Sequence, residues 1–144
     1  SARLAPGLYV TATPIGNAAD ITARALDVLA RADLVLCEDT RVTSKLFAIH
    51  NISAKTAPYH DHNASEMRPR ILKRLDAGEA IALVSEAGTP LVSDPGLKLV
   101  QEAVAAGQNG TALPGASAVL AALTLAGLPT DRFVFAGFRS SKQE

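Results

Sequence analysis

The residues of this chain able to do chemistry gather in five short polar segments, each behind an apolar run. Thr13-Pro14-Ile15-Gly16-Asn17 follows Leu8–Thr11, and Glu38-Asp39-Thr40-Arg41 follows Leu34–Cys37. His60-Asp61-His62-Asn63 follows Lys55–Tyr59, Ser85-Glu86-Ala87-Gly88-Thr89-Pro90 follows Ala80–Val84, and Pro114-Gly115-Ala116-Ser117 follows Thr111–Leu113. Two carboxylates beside an arginine can position a substrate. A carboxylate accepts a proton from a reacting hydroxyl, and a guanidinium clamps a phosphate. A helix start capped by Asp39 or Thr40 explains the same residues equally well. His60 and His62 have a spacing found in metal sites. Zinc takes three or four ligands, however, and Cys37 reads as a small buried hydrophobe, so no metal is expected. Ser117 reads as a helix cap whose neighbouring free N–H groups can hold a polar ligand group. The strained G-x-S-x-G elbow of a nucleophilic serine is absent.

The longest of these segments runs from Val84 to Gly96 and packs Gly88, Gly96, Pro90, Pro95, Glu86 and Asp94 into one corner. A turn needs about half of these residues. Gly88 permits close approach of a ligand to the backbone, while the prolines stiffen the loop, as suits the wall of a bound cofactor. Gly16 offers the same approach, although an ordinary turn also accounts for Pro14-Ile15-Gly16-Asn17. Neither G-x-G-x-x-G nor G-x-x-x-x-G-K-[ST] occurs, which argues against a standard dinucleotide or P-loop site.

The elements that must position these segments alternate. Strands are predicted at 8–11, 34–37, 55–59, 80–84, 111–113 and 133–135. Helices are predicted at 21–32 with Asp20 as N-cap, at 43–50, from a capping box at Asn63–Glu66 to Ala77, at 97–106, and at 117–126. Pro69 lies inside the third helix, which therefore kinks or starts later. Strand–helix alternation with short links implies parallel strands and right-handed crossovers. Strands covered on both faces read as unbroken apolar runs, as 34–37 and 80–84 do. The expected fold is α/β: an open, mostly parallel sheet with helices on both faces. All five polar segments then share the carboxyl edge, where such sheets bind ligands. Links at the other edge, such as Arg31-Ala32-Asp33 and Asp76–Glu79, are bland by comparison.

Composition narrows the classes. The chain has 144 residues, about one domain, and is 48% hydrophobic with only 4% aromatics, so Ala, Leu and Val must fill the core. Lys and Arg total 14, as do Asp and Glu. This balance does not advertise nucleic-acid affinity, which a local patch or a further domain can still supply. No run approaches the roughly 18 apolar residues of a membrane span, and the first residues lack the apolar stretch of a signal peptide. The single Cys37 excludes an internal disulfide and fits a cytoplasmic protein.

The motifs TPIGN, DIT-x-RAL-x-VL, CEDTR, HDHN, ALVSEAGTPLVSDPG, LPGASA and LAGLPTDRFVFAGF run in that order from about Leu8 to Phe138. In this combination the chain resembles the tetrapyrrole methylase superfamily, and within it the methyltransferases acting on a cytidine 2′-hydroxyl of 16S rRNA. The resemblance implies an S-adenosylmethionine-dependent enzyme, usually a homodimer, built from two α/β domains with the cofactor between them. This chain would be the amino-terminal domain, with Ser1-Ala2 a tag remnant and the second domain lying beyond its end. Motif matching assigns cofactor contact to Ala87, Gly88, Thr89, Pro90 and Leu91 and to Gly115, Ala116, Ser117 and Ala118. It places Pro14, Ile15, Gly16 and Asn17 on the substrate side. Glu86 stands where the branch usually has Asp, so the carboxylate is kept one methylene farther out. Asn17, Asp39 and Asp61 are the candidate catalytic residues, and Arg41 a candidate phosphate contact. The alternatives are a methylase of a small tetrapyrrole and, for the isolated domain, a non-catalytic module binding RNA or a partner.

Overall fold

The computed structural model describes residues 3–12, 19, 21–85, 94–113 and 133–135. In chain order the elements are β1 (Gly7–Ala12), α1 (Ala23–Arg31), β2 (Leu34–Cys37), α2 (Thr40–Ile49) and β3 (Thr56–Pro58), then α3 (Ala64–Asp76), β4 (Ala80–Ser85), α4 (Asp94–Ala105), β5 (Gly110–Leu113) and β6 (Phe133–Phe135). The expected helix at 117–126 lies outside the described residues.

The strands form one sheet in the order β3-β2-β4-β1-β5-β6, with every neighbouring pair parallel. Alternation along each strand divides the core into two layers. Leu8, Val10, Leu34, Leu36, Ile81 and Leu83 pack with Ile71 and Leu75 of α3 and with Leu99, Val100, Ala103 and Val104 of α4. Val35, Cys37, Ala82, Val84 and Leu113 pack on the opposite side with Ala25, Val28 and Leu29 of α1 and Phe47 of α2. Both faces are thus covered, as the unbroken apolar strands require. The chain walks from β1 outward to β3 with α1 and α2 on one face. It then turns back through β4 to β5 with α3 and α4 on the other. Reversal of direction with exchange of faces is what right-handed crossovers produce.

Helix starts differ from the sequence expectation. α1 is capped by Thr22, whose hydroxyl accepts the Ala25 N–H at 3.0 Å, rather than by Asp20. Thr22 lies directly before the first helical residue, so its hydroxyl reaches the third free N–H. α2 begins three residues before the expected Thr43, because Asp39 has extended backbone and its carboxylate accepts the Arg41 N–H. α4 takes in Asp94 and Pro95, since a proline in the first turn forfeits no helical hydrogen bond. α3 runs through Pro69 to Asp76, and Asn63 at its N-cap position makes no side-chain cap bond. Gly78 and Gly107, at φ +92° and +82°, adopt the left-handed conformation that ends α3 and α4. β3 is shorter than expected and closes on Pro58, which an edge strand tolerates because its missing N–H breaks no inner ladder.

Candidate functional site

β2 and β3 pair in parallel with Cys37 opposite Pro58, so the residues after each strand emerge side by side at the carboxyl edge. They frame an open groove of about 500 Å³ lined by Glu38, Asp39, Thr40, Arg41, Val42, Pro58 and His60. Asp39 is doubly engaged. Its Oδ1 accepts the Arg41 backbone N–H at 2.9 Å, which fixes the start of α2. The same carboxylate takes the Arg41 guanidinium side-on, Nε at 3.2 Å and Nη2 at 3.1 Å. The Arg41 side-chain hydrogen bond, then the backbone bond, hold the Asp39 carboxyl below its ordinary value, and the same pairing raises Arg41. The Arg41 side chain is 87% exposed, so the outer N–H groups of its guanidinium remain open to a ligand.

The loop after β3 is tied by its own side chains. Asn63 Oδ1 accepts the His60 N–H at 2.9 Å, and Asn63 Nδ2 donates to the Pro58 carbonyl at 2.8 Å. The amide thus braces the loop from below, which explains why it does not cap α3. His60 Nδ1 accepts the His62 N–H at 3.2 Å, and the two rings meet edge to face at 5.8 Å. The histidine spacing serves this turn. Among the described residues no group of three or more His, Cys, Asp or Glu is placed to share an ion.

Tyr59, at the foot of that loop, is 4% exposed and donates its hydroxyl to the Pro95 carbonyl at 2.6 Å. It therefore fastens the end of β3 to the first turn of α4, the helix whose start takes in the last residues of the 84–96 segment. The Arg68 guanidinium lies against the Tyr59 hydroxyl, which holds it above its ordinary pKa, and reaches Glu102 at 3.3 Å.

Of the residues singled out in the sequence, Asp39 and Arg41 line the groove and contact each other. Asp61 is exposed on the loop after β3 and does not line it. Pro14, Ile15, Gly16, Asn17, residues 86–91 and residues 114–118 lie outside the described residues. Their anchors are described: β4, β1 and β5 are adjacent, and Ala12 lies opposite Ser85 while Thr11 lies opposite Leu113. The strand ends leading to these three segments are therefore neighbours, with β4 standing directly beside β2 and its groove. Glu38, Val42, Pro58 and the Tyr59 tie were not singled out as site residues. Only the strand pairing brings them together, although a polar-tipped aromatic at a strand end was a usable signal for Tyr59.

Known proteins fit this architecture. "Ribosomal RNA small subunit methyltransferase I" of Mesorhizobium japonicum is 56% identical over 135 residues, covering 94% of this chain and 46% of that protein. The protein of the same name from Vibrio cholerae is 52% identical over 140 residues, covering 97% and 49% respectively. The chain thus spans about half the length of the curated relatives it matches. Among solved structures, a cobalt precorrin-4 methyltransferase aligns with a TM-score of 0.59 at 25% identity, over 83% of this chain and 50% of that one. Diphthine synthase aligns with a TM-score of 0.60 at 20% identity, over 88% and 51%, and shares the fold. The model of the family described as Tetrapyrrole (Corrin/Porphyrin) Methylases matches residues 7–142, and the chain belongs to that family.

Proposed function

We propose that this chain forms the amino-terminal, groove-bearing half of an S-adenosylmethionine-dependent methyltransferase acting on small-subunit ribosomal RNA. The observation that carries the reading is about 50% identity, along nearly the whole chain, to proteins named for that activity. Fold alone does not choose the substrate, since precorrin and diphthine enzymes share it. The finer reading is methylation of a cytidine 2′-hydroxyl in 16S rRNA by a cytoplasmic homodimer, with a second domain completing the cleft.

When bound, the cofactor supplies an electrophilic sulfonium methyl group, and the protein supplies position and exclusion of water. We assign its binding to residues 87–91 and 115–118, which follow β4 and β5, with Pro14, Ile15 and Gly16 after β1 on the substrate side. The described strand ends fit such an assignment because they are contiguous at one edge. Arg41, largely exposed, offers its free N–H groups to an RNA phosphate. Asp39 is one of two described carboxylates that line the groove, beside Glu38. It stays ionised at neutral pH and can orient a ribose hydroxyl and take its proton as the new C–O bond forms. Asp61 is the other carboxylate candidate for that role, and Asn17, an amide, is a candidate for orienting the hydroxyl without taking its proton.

In a protein of the relatives' full length carrying this chain, Asp39→Ala should lower methylation of small-subunit RNA by roughly 10²–10⁴-fold if it takes the proton. Asp61→Ala run alongside separates the two. Full activity in both variants removes both from the mechanism. Offering a porphyrinoid in place of the RNA decides the substrate class, and methylation of the porphyrinoid alone would sink the RNA reading.

A further inference from the structure

The groove holds two adjacent carboxylates in opposite states. Asp39 is committed to the α2 start and to Arg41. Glu38, exposed on the same rim, has no hydrogen bond or ion pair among the described residues. Across from it stand the Pro58 ring and His60. Because His60 Nδ1 accepts the His62 N–H, its neutral ring carries the proton on Nε2, which makes it a donor. Val42, 51% exposed at the lip, adds apolar surface. An acceptor with no partner among the described residues, a ring donor and the apolar surfaces of Pro58 and Val42, in an open groove of about 500 Å³, leave room for one unstacked nucleobase.

We propose that this groove receives the base of the target nucleotide, flipped out of the RNA, and that Glu38 reads its exocyclic amine. The inference rests on the RNA-methylation reading above and adds to it a residue that sets base preference. A carboxylate only accepts. It therefore pairs with the N4 amine of cytosine and is repelled by the O4 of uracil at the same place. Pro58, Val42 and the imidazole supply packing that does not distinguish the two pyrimidines.

The test uses the full-length protein and small-subunit RNA carrying either cytidine or uridine at the modified position. Methylation rates are read together with binding of matched fluorescent RNA fragments by anisotropy. The wild type should favour cytidine over uridine by roughly tenfold or more. Glu38→Gln, whose amide can also donate, should bring that ratio close to one in both readouts. Glu38→Asp should weaken cytidine use yet keep the order, and His60→Ala should weaken both substrates alike. A Glu38→Gln protein that folds, binds and methylates with the wild-type ratio overturns the inference while leaving the RNA reading intact. If Glu38→Gln fails to fold, an unweakened Glu38→Asp overturns it instead. A wild type that methylates neither RNA takes down the parent reading, and this one with it.

Discussion

Asp39 is a cap and an ion-pair partner at once, and the second role requires its charge. Its carboxyl titrates below the usual value in the folded chain, so the unfolded chain holds the proton more tightly. The contribution to stability is therefore complete above the unfolded value, near 3.8, and is lost as pH falls through the lower folded one. Asp39→Asn keeps an acceptor for the Arg41 N–H and removes the charge. Its thermal midpoint should approach the wild type as the pH falls below 3.8 and lag at pH 7, a difference that melting curves across the range will measure. Thr11 presents the opposite case. It is fully buried, and its hydroxyl has no partner among the described residues. It shares the strand face of Tyr9, toward α1 and α2. Thr11→Val keeps the shape and deletes the orphaned group, so it should stabilise the fold by about 1–3 kcal/mol. Urea unfolding would read this as a higher midpoint at unchanged slope. A lower midpoint would mean that the hydroxyl has a native partner.

At the scale of elements, what the sequence disclosed and what it hid have separate physical causes. β2 and β4 were legible because strands covered on both faces must be continuously apolar. The helix starts were not, because a cap is set by which side chain reaches a free N–H, and periodicity does not encode that. Thr22 displaced Asp20 in this way, and Asn63 turned back to Pro58 and His60 instead of capping α3. Asp39 and Arg41 were legible as candidates, being two apart in one motif, and both line the groove. Their meeting with Pro58 and His60 was not, since it depends on the register that sets Cys37 against Pro58. The Tyr59–Pro95 bond spans 36 residues and was equally invisible. It joins two elements that flank the site, so its loss should be felt in both. Tyr59→Phe should cost about 1 kcal/mol of stability and hasten amide exchange in the first turn of α4. In the full-length enzyme it should raise KM for the methyl donor more than it lowers kcat. Unchanged exchange at α4 would show that the helix start is held by other contacts.

For the molecule as a whole, the sheet order decides what this chain can do unaided. β4, β1 and β5 end side by side, and the groove after β2 and β3 opens next to them on one flank. A ligand seated on this edge meets protein from below. Small-molecule sites, by contrast, bury about 70–90% of their ligand, which one sheet edge does not achieve. The relatives are about twice as long, and under the proposed reading a second half would close over the edge. Each tenfold in affinity corresponds to about 1.4 kcal/mol, so losing even two or three contacts of ordinary strength to an absent wall costs one to two decades. Isothermal titration of this chain with S-adenosylmethionine should accordingly show weak or no binding. The same titration with the full-length protein should show binding at least ~10-fold tighter. Equal affinities would place the whole cofactor site within these 144 residues and would overturn the reading in which a second domain completes it.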